Sequence, residues 1–133
     1  MSPLRIGGPH ERNARLALLG GWWDQSIVHT KRVGVVGIGA LGNEIIKNLA
    51  LLDFRSIVLI DKDNVELSNL SRSVMFRAGD QGRPKVCAAA ASLAHLNPDI
   101  NVETINGDVM FEVGLGRLRE LDILIAGLDS RYV

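Results

Sequence analysis

The chain has 133 residues, 47% of them hydrophobic, and balances 15 Lys and Arg against 15 Asp and Glu. This suffices for one domain with a proper core and excludes a disordered chain. Zero net charge argues against a nucleic-acid binder working by bulk charge; no apolar run has the length of a membrane span, and the N-terminus has no signal-peptide core.

Residues 1–9 are rich in Gly and Pro and are expected to be loose. Residues 10–19 read as a short helix with Arg12 and Arg15 one turn apart, which by spacing alone makes a solvated basic face. Trp22 and Trp23 follow the Gly20-Gly21 break and are expected to anchor this segment on the body. Val33-Gly34-Val35-Val36 has the β-branched character of a parallel strand covered on both faces. Gly37, Gly39 and Gly42 then form G-x-G-x-x-G, with Ala40 and Leu41 between the last two glycines. In such a motif the first glycine permits a tight turn, the second lets phosphate approach the backbone, and the third lets helix pack on strand. The next helix carries Leu41, Ile45, Leu49 and Leu52, expected on one buried face. A second strand, 56–60, ends in Asp61, close to the roughly 20-residue spacing of a ribose-binding acid in a βαβ nucleotide unit.

Residues 61–81 are long, polar and without clear periodicity, a pattern that tends to be functional. Residues 83–96 read as a helix burying Val86, Ala89, Ala90 and Leu93, ended by Asn97-Pro98. Cys87 lies among alanines on this helix and is expected in the core. As the single cysteine it allows no internal disulfide and no cysteine-rich zinc site, so a reducing cytoplasm is the default. Residues 101–105 read as a strand, 110–121 as a helix weakened by Gly114 and Gly116, and 123–126 as a fourth strand.

This pattern predicts an α/β fold, a Rossmann-like doubly wound parallel sheet in the order 3-2-1-4. Residues 1–31 form an N-terminal helical segment and 32–133 a nucleotide-binding core. A chain ending seven residues after strand four reads as the N-terminal part of a longer protein, a sheet truncated at its C-terminus. The switch point between strands one and four would face the glycine turn toward Asp129, with Asp61 beside them.

Gly82-Arg83-Pro84-Lys85 opens the helix read over 83–96, with Pro84 suited to the first helical position and Lys85 in the first turn. There it opposes the helix dipole unless an anion is bound. A solvated lysine is the common alternative; the glycine turn and a neighbouring arginine favour a phosphate. Asn69 suits a ribose or a loop bond equally, and Arg72 a phosphate or solvent. Asp129 reads either as a turn former or as a carboxylate bridged to phosphates by Mg²⁺. Asp63 reads either the same way, toward Mg²⁺, or only as a solvated loop charge. His10, His29 and His95 share no metal-ligand spacing.

The ordered series GxGxxG, IDKDNVELSNLSR, GRPK, NPDINVE and GLD resembles the adenylation domain of the ubiquitin-activating (E1-like) family, including the bacterial ThiF, MoeB and HesA type. The resemblance covers the chain from about His10. It implies an adenylyltransferase that joins ATP to the C-terminal carboxylate of a ubiquitin-like or sulfur-carrier protein ending in Gly-Gly, giving an acyl-adenylate and pyrophosphate. On that resemblance Gly37, Gly39, Ala40, Leu41 and Gly42 would receive the nucleotide and Asp61 the ribose. Asp63, Asn69, Arg72 and Lys85 would meet ribose and phosphates, and Asp129 would hold Mg²⁺. Arg15 resembles an arginine finger that reaches the partner's triphosphate, which implies a homodimer. Two departures stand out: Arg12-Asn13-Ala14-Arg15-Leu16 where the family reads RYxRQ, and Ser73 where glutamine is usual. The family's catalytic cysteine and CxxC zinc pairs would lie beyond residue 133. The alternatives are an NAD-dependent oxidoreductase, which shares the glycine turn and the acid but leaves Arg72, Lys85 and Asp129 unexplained; a non-catalytic E1-like partner subunit; and adenylation of some other carboxylate.

Overall fold

The computed structural model describes residues 13–129. The expected loose residues 1–9, Arg12 and the start of the first expected helix, and the tail 130–133 lie outside the described residues. Four parallel strands, β1 (Arg32–Val36), β2 (Ser56–Asp61), β3 (Asn101–Asn106) and β4 (Ile123–Ala126), form one sheet in the order β3-β2-β1-β4, as the sequence pattern predicts. Val33 lies between Ile57 and Ile123, and Val36 between Ile60 and Ala126.

Side-chain alternation divides the core between the two sheet faces. Val33, Val35, Ile57 and Leu59 pack with α3 (Ala40–Leu51) and α4 (Lys85–Leu96). Val36, Val58 and Ile60 pack on the other face with Val113, Leu118 and Leu121, around α5 (Leu115–Arg119). Helices on both faces explain why the central strands are apolar throughout rather than alternating.

Three expectations about this core are corrected. The inward stripe of α3 is Gly42, Asn43, Ile46, Leu49 and Ala50. Leu41 is instead 60% exposed. The stripe is shifted because the first turn of α3 lies against the glycine turn, where only Gly42 fits. The inward stripe of α4 is Val86, Ala88, Ala89 and Leu93. Cys87 sits about 100° round the helix from Val86 and is exposed. The helix expected over 110–121 is confined to α5. Before it the backbone N–H of Met110 donates to Asp108 Oδ1 at 2.9 Å and that of Glu112 to the Asp108 carbonyl at 2.8 Å, which closes a turn instead.

The N-terminal segment comprises α1 (Ala14–Ala17), a 3₁₀ turn (Gly20–Trp22) and α2 (Gln25–Thr30). Trp22 does not anchor it, being 95% exposed. Trp23 is half-buried and Val28 buried, and polar bonds complete the hold. Gln25 Nε2 donates to the Leu52 carbonyl at 2.9 Å. Asp53, buried and in the left-handed region at φ 65°, accepts on Oδ2 from Asn13 Nδ2 (2.9 Å), His29 Nε2 (2.8 Å) and Arg55 Nη2 (2.8 Å). Its Oδ1 accepts from Asn97 Nδ2 at 2.8 Å. Burial alone would raise this carboxyl's pKa; the hydrogen bonds from Arg55, Asn13, Asn97 and His29 outweigh it and hold the group well below the usual carboxylate range. No helix among the described residues is long and apolar enough to cross a membrane.

Candidate functional site

The carboxyl ends of the strands open onto a cavity of about 680 Å³ at the switch point between β1 and β4. That is ample room for a nucleotide. Its floor is the glycine turn. Gly37 has φ +87°, and a Cβ there would come within 2.9 Å of the Gly127 backbone. Its N–H donates to the Ile60 carbonyl at 2.9 Å, and the Gly127 N–H to the Val36 carbonyl at 2.7 Å, so three strand ends are drawn together. Gly39 is the N-cap of α3, and a Cβ on it would meet nothing within 4 Å. Gly42 differs: its Cβ would lie 2.0 Å from the Gly37 carbonyl oxygen. It is buried under the turn and does not line the cavity, a correction to its place among the nucleotide-facing residues.

Asn43, which the sequence reading passed over, fixes this floor. Its Nδ2 donates to the carbonyls of Ile38 (3.1 Å) and Gly39 (2.8 Å), and its Oδ1 accepts from the Met75 N–H at 2.9 Å. One fully buried amide thus ties the glycine turn to the polar segment that follows β2. The signal was present as a polar residue at a core position of an amphipathic helix.

Asp61 ends β2 with both carboxylate oxygens engaged by backbone: Oδ2 accepts from the Ile38 N–H at 2.6 Å and Oδ1 from the Asp63 N–H at 2.8 Å. Each oxygen keeps a lone pair for a ligand hydroxyl. The segment 61–81, expected as a long loop, is ordered by two 3₁₀ turns, Leu67–Arg72 and Ala78–Asp80. In the first, Asn69 Oδ1 accepts from the Glu66 N–H at 2.9 Å, which leaves its amide N–H₂ for the cavity. Arg72 ends that turn and forms no ion pair among the described residues. The chain then folds back on itself. Val65 N–H donates to the Arg83 carbonyl (2.8 Å) and Lys85 N–H to the Asp63 carbonyl (2.9 Å). Pro84, expected at the first helical position, is the extended N-cap of α4. Lys85 is brought to the cavity with its side chain only 12% exposed, its Nζ 3.6 Å from Asp63 Oδ2.

The opposite wall is apolar and comes from the turn after β3, with Val109, Met110 and Phe111. Lys62 Nζ pairs with Asp108 Oδ2 at 2.9 Å and braces this turn against the end of β2. That hydrogen bond, with the one from the Met110 N–H, lowers the Asp108 carboxyl's pKa. None of these residues was singled out from the sequence, whose pattern over 110–121 read as helix.

Gly37, Gly39, Ala40, Leu41, Asp61, Asp63, Asn69, Arg72, Lys85 and Asp129 all line this one cavity. Of the residues expected at the site, only Gly42 and Arg15 do not. Arg15 is exposed on α1. Among the described residues no three His, Cys, Asp or Glu side chains converge to hold a metal ion.

The chain is 35% identical over 104 residues to SUMO-activating enzyme subunit 2 of Dictyostelium discoideum, covering 77% of this chain and 16% of that protein. It is 41% identical over 99 residues to the NEDD8-activating enzyme E1 catalytic subunit of the same organism, covering 74% of this chain and 22% of that protein. Among solved structures, E. coli MccB with ATP superposes with a TM-score of 0.71 at 28% identity, covering 81% of this chain and 32% of that one. The chain thus spans less than a third of the length of these relatives. Residues 10–133 match the ThiF family, so the chain belongs to that family, whose relatives here are E1-like activating enzymes.

Proposed function

We propose that the cavity binds ATP and adenylates the C-terminal carboxylate of a ubiquitin-like or sulfur-carrier protein ending in Gly-Gly. One observation carries this reading: an open glycine turn, a backbone-oriented carboxylate (Asp61) and two cations (Arg72, Lys85) share one cavity with Asp129. Relatives named as SUMO-, NEDD8- and SAMP-activating enzymes support the substrate class. In this reading Asp61 accepts from the ribose hydroxyls, and the N–H groups at the start of α3 receive phosphate above Gly39. The apolar wall at Val109, Met110 and Phe111 covers the base. The substrate carboxylate attacks the α-phosphorus, and the bond to the bridging oxygen of pyrophosphate breaks. No general base is needed, because a carboxylate is already a nucleophile. The barrier is repulsion between anions, which Lys85 and Arg72 offset while the cavity aligns the reactants.

Arg15 fits this scheme as a residue delivered to a second copy's triphosphate in a homodimer, since it lies outside its own chain's cavity. Mg²⁺ fits as a cation carried in on the triphosphate and held by Asp129, because among the described residues no three acidic, His or Cys side chains converge into a cage. It would supply charge neutralisation between phosphate oxygens and that carboxylate. A reducing cytoplasm belongs to the same reading.

Calorimetry with Mg-ATP, AMP and NAD⁺ tests it. We expect Mg-ATP to bind, and Lys85→Ala to weaken ATP about tenfold or more while sparing AMP, as loss of a charge-assisted phosphate contact requires. Binding of NAD⁺ without ATP would overturn the reading in favour of an oxidoreductase.

A further inference from the structure

We propose that Asp53 is a positioning residue that docks the Arg15-bearing segment onto the body of the domain. This rests on the reading of Arg15 given under Proposed function. Asp53 stands in the α3–β2 connection, away from the cavity that receives the nucleotide. Its carboxylate joins two pairs of donors. Arg55 and Asn97 belong to the body, at the start of β2 and the end of α4. Asn13 and His29 belong to the N-terminal segment, one at each end of it. Asn13 immediately precedes α1, whose second residue is Arg15.

The chemistry of the hub suits a clamp rather than filler. A buried carboxylate needs its lone pairs satisfied, and here four side-chain donors from separate stretches of chain do so. α1 has only four residues. A helix that short does not hold itself, so tertiary bonds set where Arg15 points. Of the large apolar side chains in this stretch, Leu18, Leu19, Trp22 and Ile27 are exposed, Leu16 and Trp23 are half-buried, and only Val28 is buried, so apolar packing gives α1 little hold. Beside the burial of Val28, the bonds from Asn13 and His29 to Asp53, with Gln25 to Leu52, hold it in place.

The test removes the segment's donors and leaves Asp53 with its body partners. In the full-length protein carrying Asn13→Ala and His29→Ala, amide hydrogen exchange over residues 13–30 should accelerate about tenfold or more, with the sheet unaffected. Calorimetry should show weaker Mg-ATP binding, matching Arg15→Ala, with AMP binding unchanged. Adding Arg15→Ala to the pair should cause no further loss, since residues acting as one unit are not additive. A merely structural weakening would lower ATP and AMP together and would add to Arg15→Ala.

Unchanged exchange over 13–30 would overturn the clamp. Faster exchange with wild-type ATP affinity, where Arg15→Ala alone weakens ATP, would overturn positioning. If Arg15→Ala itself leaves ATP and AMP affinities untouched, the Arg15 reading fails and the positioning role falls with it, while exchange still decides the clamp. Asp53→Asn serves as a second variant: asparagine tolerates the left-handed backbone, so it removes the charge without adding strain.

Discussion

Gly39 and Gly42 lie three residues apart in one motif and bear opposite constraints. A methyl group at 39 points into open cavity, whereas at 42 it strikes a backbone oxygen. Gly39→Ala should fold with a wild-type melting temperature yet weaken ATP binding, because the methyl occupies the space over the helix N-terminus. Gly42→Ala should lose about 1–3 kcal/mol of stability, the usual cost of overpacking. Thermal melts with and without Mg-ATP separate the two: a stable Gly42→Ala, or a Gly39→Ala with unchanged ATP affinity, would contradict this assignment. Both roles were readable from the motif, but only the structure shows that the third glycine lies beneath the turn and not in the cavity.

Asn43 joins two elements distant in sequence, the glycine turn and the stretch ending at Met75. Asn43→Leu has similar size but leaves the Met75 N–H and the Ile38 carbonyl without their partner. We expect a loss of about 1–3 kcal/mol in denaturant melts, with raised proteolysis near residues 73–76. Wild-type stability would show that the cross-link is dispensable. The strands and α4 were legible because their apolar patterns are long and bounded by turn residues. The turn at 108–112 was not: Asp108 and Lys62 act across elements, and no periodicity announces such a pair. The apolar wall and the Asn43 link were missed for the same reason, since their meaning lies in contacts distant along the chain.

Stability of the whole molecule should depend on pH through Asp53. Its folded-state pKa is lowered, so the unfolded chain takes up a proton first as pH falls through about 4. The stabilisation is fully present above that value and is lost progressively below it, down to the depressed folded pKa. Asp53→Asn should flatten the acid limb of melting temperature against pH while lowering the plateau near neutrality. An acid limb as steep as wild type would place the titrating group elsewhere. The hub itself was invisible in the sequence, where His29 was noted only for lacking a metal partner and Asp53 not at all; its donors come from residues 13, 29, 55 and 97.

The strand order also sets a timetable. β1 pairs with β2 across the single helix α3, but Val33 meets Ile123 only after α3, β2, α4, β3 and α5 have intervened. Closing the longer loop costs about 1 kcal/mol more in chain entropy. It also cannot begin until the last strand exists. A chain emerging from the ribosome N-terminus first therefore builds the glycine turn, Asp61, Arg72 and Lys85 into half a cavity while β4 is still unmade. The carboxylate of Asp129 arrives with β4, so a nascent chain holds Lys85 beside Asp63 before the acid across the switch point is in place.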